Sequence, residues 1–269
     1  MHALLWILGA LLLLSGSAST GADNQGLRLH MAGVEYRKPF EYLEGGEVKG
    51  VSIDIARAVF ADMGVDVSIE LLPLRRLIRD LKTGRIDGSV IWVPELDAMV
   101  DGVIRTGVPH YYSRTSFFAL KNIPLNLDRA FGSYRLGIMG PTENVRVRFP
   151  DSHIVSYKDD YLLVKALKRG RVDIIALEDA VIDEVAKTLK IADQITHVAL
   201  ETYLRSYAAF SFNALGLRAE NYRRRYERSL LKLKRSGVIR NILDRYSDLS
   251  HYSHYGETMT ETLIATHLK

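Results

Sequence analysis

A chain of 269 residues that is 47% apolar is long enough to bury two packed cores, and the absence of cysteine excludes disulfides, thiolate metal sites and a cysteine nucleophile. Its 36 basic residues exceed its 32 acidic ones by only four, and the signs are mostly interspersed, which argues against a nucleic-acid partner. The one locally basic stretch, 218–245, sets ten Arg and Lys against Glu220, Glu227 and Asp244. With Leu230 and Leu233 facing inward on a helix, it reads as a solvated face.

The N-terminus differs from everything after it. Leu4 to Leu14 is an unbroken apolar run, small residues follow, and the first charged side chain comes after Ala22. As a helix those 11 residues span roughly 16 Å, about half a bilayer's hydrocarbon core. The pattern is that of a secretory signal peptide over 1–22, with cleavage after Ala18 or Ala22, and it implies export to the periplasm. Without cysteine the exported chain is not a lipoprotein.

Elements then alternate. Residues 27–31 have the period of a half-buried strand. Over 53–63 the spacing predicts a helix with Ile55, Ala56, Val59, Phe60 and Met63 on one face, Ser52 capping its start and Gly64 its end. Val65, Val67, Ile69 and Leu71 alternate as a second strand. Leu74, Leu77, Ile78 and Leu81 mark a helix over 74–82 that Gly84 stops, and the apolar run 86–93 is a third strand. Strand and helix in this order predict a parallel sheet with covering helices.

The pattern recurs downstream. Strands are predicted at 135–139, 153–157, 172–177 and 195–200, with helices opening at Gly140-Pro141-Thr142-Glu143 and running over 160–168 and about 179–189. LKTGRID at 81–87 is echoed by LKRGRVD at 167–173, with five of seven letters shared. The echo points to two related α/β lobes, although helix–glycine–strand junctions look alike in general. The apolar stretches 115–120 and 207–212 read as two crossings between the lobes, the second returning the chain to the first lobe. The expected division is lobe one at 23–117 plus 210–250, lobe two at 118–209, and a tail at 251–269. A double crossing makes a hinge, and hinge closure traps a ligand.

Six segments in order carry a resemblance to the periplasmic solute-binding proteins of the polar amino acid type, extracellular solute-binding family 3. They are PFEYLEGGEVKGVSIDIARAVFADMGVDV (39–67), LRRLIRDLKTGRIDG (74–88), VPHYYSR (108–114), LGIMGPTEN (136–144), YLLVKALKRGRVDIIALED (161–179) and LLKLKRSGVIRNILDRY (230–246). The resemblance implies two Rossmann-like lobes joined by a two-strand hinge (a periplasmic binding protein-like fold of type II), a small solute held between them without cofactor, a monomer, and delivery to an ABC-type membrane permease.

One departure stands out. Relatives that bind amino acids usually carry an Arg soon after the third strand, where it forks onto the ligand carboxylate; here neither Arg nor Lys lies between Arg85 and Arg105. Arg76, near the start of the second helix, is a candidate substitute or a surface arginine. Counting along GRVDIIALED places Glu178 where the resemblance implies an acidic group for the ligand's amine, which favours a cationic or amine-bearing ligand. Trp92 ends the third strand, where open α/β sheets meet ligands, or else packs in the core. Tyr36 is a candidate stacking aromatic, Arg114 contacts the ligand or pairs across the hinge, and Thr142 opens a helix whose N–H groups suit an anionic group. His251 and His254 in the tail have no third ligand at a telling spacing, so no metal is expected.

The expected function is solute capture without chemistry. Two alternatives differ from it: a dehydratase on the same fold with Glu178 as general acid, and a sensing or interaction module without transport.

Overall fold

The computed structural model describes residues 28–123, 134–139 and 153–246, with the side chains of 199–203 left aside. The signal-like segment, Thr142 and the histidine-bearing tail lie outside these residues.

Strand β1 (Leu29–Val34) leads through a loop to a small hairpin, β2 (Tyr42–Glu44) and β3 (Glu47–Lys49), that sequence periodicity does not reveal. Helix α1 (Val51–Asp62), strand β4 (Val67–Leu72), helix α2 (Leu74–Lys82) and strand β5 (Gly88–Trp92) follow. β1 pairs in parallel with both β4 and β5, as the alternation of strand and helix predicts. Helix α1 turns Ile55, Ala56, Val59 and Phe60 into the core, all fully buried. Each of the three larger side chains is worth roughly 1.5–3 kcal/mol when taken out of water.

Its start corrects one expectation. The residue at the N-cap is Gly50, and Ser52 lies inside the first turn. The Ser52 hydroxyl is 2.8 Å from that of Tyr111 rather than on a backbone N–H. Gly50 takes φ 125°, and a Cβ there would stand 2.0 Å from the carbonyl oxygen of Phe40. That close approach fixes the glycine and moves the helix start one residue ahead of Ser52.

After a 3₁₀ turn at Pro94–Met99 and the short strand β6 (Val103–Arg105), the chain enters β7 (Tyr111–Leu120). The second half holds β8 (Arg135–Met139), β9 (His153–Tyr157), α3 (Asp160–Lys168), β10 (Ile174–Glu178), α4 (Asp179–Leu189) and β11 (Ile195–Ser211). β8 pairs in parallel with β9 and β10. The spatial order is β4-β1-β5-β11-β7-β10-β8-β9, with β6 also on β11. β11 is the longest strand among the described residues, 17 residues, because one end pairs with β5 and β6 while the rest runs antiparallel to β7. Two lobes joined through β7 and β11 are the result, the arrangement of the periplasmic binding protein fold.

The chain closes with α5 (Phe212–Leu215), α6 (Arg218–Arg235) and α7 (Val238–Asp244) on the first lobe. The basic residues of α6 are largely consumed locally. Arg223 sits 2.6 Å from both Glu220 and Glu227, Lys232 reaches Asp62, and Arg225 donates to the carbonyl of Met63. Leu230 and Leu233 are buried beneath them.

Candidate functional site

The loop after β1 turns tightly on itself. The N–H of Arg37 donates to the carbonyl of Glu41 at 2.8 Å, and the N–H groups of Phe40 and Glu41 donate back to the carbonyl of Arg37. This closure aims the Arg37 side chain away from its own lobe. The guanidinium meets Glu178, the last residue of β10, and its Nε lies 3.8 Å from Asp160, the first residue of α3. Beneath it lies the ring of Phe40, 5.6 Å from the guanidinium carbon, and Phe40 in turn stacks on Tyr111 at 5.3 Å.

Both lobe-two carboxylates stand at helix starts. Glu178 occupies the N-cap position of α4, and Asp160 opens α3 next to its N-cap, Asp159, which accepts from the N–H of Leu162 at 2.7 Å. Helix N-termini favour negative charge, which suits two acids at this place. The second oxygen of Glu178 accepts from the hydroxyl of Ser113, on β7, at 2.6 Å.

Burial makes these contacts consequential. Arg37 is 9% exposed, Glu178 5%, Asp160 1% and Glu41 0%. Neither oxygen of Asp160, nor of Glu41, has a hydrogen bond of good geometry. Burial pushes the Glu41 carboxyl up from 4.5 to about 7, against the pull of Arg37 and of the Ser52 hydroxyl. Burial likewise pushes Asp160 up from 3.8 to about 6, again opposed by Arg37. Two carboxyl groups of the second lobe thus meet one guanidinium, with the charge of Glu41 also sensed by it. Removing one member of a buried pair costs about 3–5 kcal/mol because a charge is left uncompensated.

A second pair lies alongside. Arg114, on β7, donates to Asp179, which follows Glu178 in the chain. Lys38 reaches Glu184 of α4 at 3.6 Å, an outer pair exposed enough to be worth at most about 1 kcal/mol.

The residues singled out from sequence separate into two groups. Glu178, Arg114 and Tyr36 come together around this cluster, Tyr36 by chain adjacency to Arg37, 64% exposed and with φ 63°. Arg76 lies on α2 and pairs with Asp80 at 3.3 Å, a carboxylate also held by Arg79. Trp92 is 1% exposed in a core cluster with Leu72, Leu77, Leu96 and Tyr207, and its indole N–H donates to Asp97 at 2.7 Å. Sequence reasoning missed Arg37, Asp160, Glu41 and Ser113. The available signal for Arg37 was its place beside Tyr36 in the loop after β1; for Asp160 it was the paired aspartate at a helix start.

Two α/β lobes joined by two strands are the architecture of the periplasmic binding proteins. The profile of the bacterial extracellular solute-binding proteins, family 3, matches residues 29–248, and this chain is a member of that family. It is 25% identical over 243 residues to the "Probable amino-acid-binding protein YxeM" of Bacillus subtilis (strain 168), covering 86% of this chain and 88% of that one. Among solved structures it is similar to a histidine kinase sensor domain that resembles periplasmic binding proteins (TM-score 0.71, 18% identity, 82% of this chain and 96% of the other). It is also similar to the arginine-, lysine-, histidine-binding protein ArtJ of Geobacillus stearothermophilus (TM-score 0.69, 16% identity, 81% and 94%). Among the described residues no helix is long and apolar enough to cross a membrane.

Proposed function

We propose that this protein, exported by its N-terminal segment to the periplasm, captures a small amine-bearing solute between its lobes. The solute is an amino acid or a related amine, and an ABC-type permease receives it. The observation that carries this reading is the buried carboxylate of Glu178, fixed by the hinge hydroxyl of Ser113 and facing a cation from the opposite lobe. A carboxylate so held is pre-organised for a cationic group, and orienting it adds no cost at the moment of binding. Kinship with amino-acid-binding proteins of the same family supports the solute class. In this reading Tyr36 covers the solute from the rim, and Thr142 assists its anionic end. Arg114 holds Asp179 in place, while Arg76 and Trp92 serve the architecture of lobe one. No cofactor takes part, and the working unit is a monomer.

The test is the melting temperature of the mature protein against amino acids, amines, organic acids and small sugars. A ligand at 100 times its dissociation constant stabilises by about 2.7 kcal/mol, which a melt resolves. A shift confined to amine-bearing compounds and lost in Glu178→Gln is the expected result. A shift with organic acids or sugars alone overturns the assignment.

A further inference from the structure

The cluster between the lobes has the shape of a guanidinium site. An aromatic face lies beneath, at 5.6 Å, and carboxylates stand around the rim from the opposite lobe, Glu178 in contact and Asp160 at 3.8 Å. Cation–π attraction and carboxylate pairing are the two interactions that select such a group from water. Its occupant is a side chain of the protein itself. The two lobe-two carboxylates also outnumber the cation they hold. Asp160 is 1% exposed and neither of its oxygens has a well-formed hydrogen bond. A single guanidinium leaves acceptor capacity over, on the carboxylate that stands 3.8 Å from Arg37.

We propose that Glu178 and Asp160, floored by Phe40, form the protein's site for a guanidinium or ammonium group, and that Arg37 is a tethered competitor for it. This rests on the solute-capture reading and adds to it a ligand class, a second acidic residue and a residue that sets affinity. An incoming cation binds only when Arg37 swings out. A site available for one-tenth of the time binds an external ligand about tenfold more weakly than the same site left open. Arg37 thereby sets a threshold concentration for capture and selects for ligands that offer more than a bare cation. The displaced guanidinium, still tethered at the rim beside Tyr36, is then free to pair with an anionic end of the same solute. The missing arginine after the third strand and the presence of Arg37 become two sides of one substitution.

Methylguanidinium chloride is the probe, with sodium chloride at equal ionic strength as control. Arg37→Ala is expected to show a saturable rise in melting temperature with methylguanidinium, with a dissociation constant at least about tenfold below that of the unaltered protein. Adding Glu178→Gln to that variant is expected to abolish the rise. The proposal is overturned if Arg37→Ala shows no saturable rise, if it binds no more tightly than the unaltered protein, or if Glu178→Gln leaves binding intact. Should Arg37→Ala fail to fold, the unaltered protein labelled with nitrogen-15 answers the same question. Methylguanidinium must shift the Arg37 Nε–H resonance saturably, and an unmoved resonance in the presence of bound probe sinks the idea. The outcomes separate from those of the broader reading. An Arg37→Ala variant that gains no affinity for methylguanidinium, while the unaltered protein still answers amino acids, leaves solute capture standing and removes the competitor.

Discussion

The hydroxyl of Ser113 donates a 2.6 Å hydrogen bond to Glu178, so the strand on which the lobes turn also holds the acid on which the solute is proposed to bind. Hydrogen bonds to charged groups contribute about 1.5–3 kcal/mol. Ser113→Ala is expected to weaken binding of an amine ligand about ten- to a hundredfold by calorimetry. Folding should be little affected, since alanine fits the vacated volume. Unchanged affinity would show that Glu178 is oriented by α4 alone.

Glu41 gives the fold a pH dependence of definite sign. Folded, its carboxyl keeps a proton to about pH 7; unfolded, only to its ordinary 4.5. Between those values the folded state binds more protons, so its stability falls as pH rises. The contribution is fully present below pH 4.5 and lost through pH 7. Asp160, raised from 3.8 to about 6, acts in the same direction. Glu41→Gln removes the first of these losses and is expected to stabilise the protein by roughly 3 kcal/mol at pH 8 relative to its effect at pH 4.5. Urea unfolding at the two pH values measures it, and equal effects at both would show that Glu41 ionises freely in place.

His110 acts in the opposite sense. It is fully buried, its Nε2 lies 2.8 Å from the hydroxyl of Tyr226, and burial pushes it from 6.5 down to about 3. The unfolded chain therefore binds an extra proton between pH 3 and 6.5. The stability that neutral His110 provides is present above 6.5 and drains away as pH falls. The full swing is on the order of 4–5 kcal/mol. His110→Gln keeps a polar partner for Tyr226 without titrating, and its stability curve below pH 6.5 is expected to be flatter than that of the unaltered protein. Parallel curves would place the acid sensitivity elsewhere.

Gly50→Ala tests the base of the Arg37 loop. Its φ of 125° and the 2.0 Å approach to the Phe40 carbonyl leave no room for a methyl group. A loss of about 3 kcal/mol or more is expected in chemical denaturation. Because Phe40 floors the Arg37 guanidinium, amine binding should weaken in the same variant. A loss below about 1 kcal/mol would mean the loop yields easily.

The parts of this structure that repeat with a period were open to reading from the sequence. Val59, Phe60, Leu77 and Leu81 recur at helical spacing and all lie in the core. Gly64, Gly84 and Gly170, expected as helix stops, all take positive φ. The hairpin β2–β3 escaped because three-residue strands around Gly45-Gly46 are too short for alternation to register. Ser52 was misplaced because a preference for serine at N-caps says nothing of a helix start fixed by glycine against a distant carbonyl. Counting from the resemblance singles out Glu178, and β10 ends on it in the structure. Arg37 could not be found that way, because its partners lie in the other lobe and a loop carries no period to follow. Trp92 leaves two readings open in the sequence, a ligand contact at a strand end or a core residue, and its contacts keep it in the core.

That placement of Trp92 gives the protein a built-in optical reporter. Its backbone partner is Tyr207 on β11, the strand that belongs to both lobes, and the Arg105 guanidinium covers the Tyr207 ring at 4.4 Å. The sequence holds two tryptophans, Trp6 and Trp92, so a chain expressed from Asp23 onward emits from a single indole. Any solute that bends β11 alters the surroundings of that ring. Closure can then be followed as a change in intrinsic fluorescence, and rapid mixing gives its rate with neither dye nor mutation.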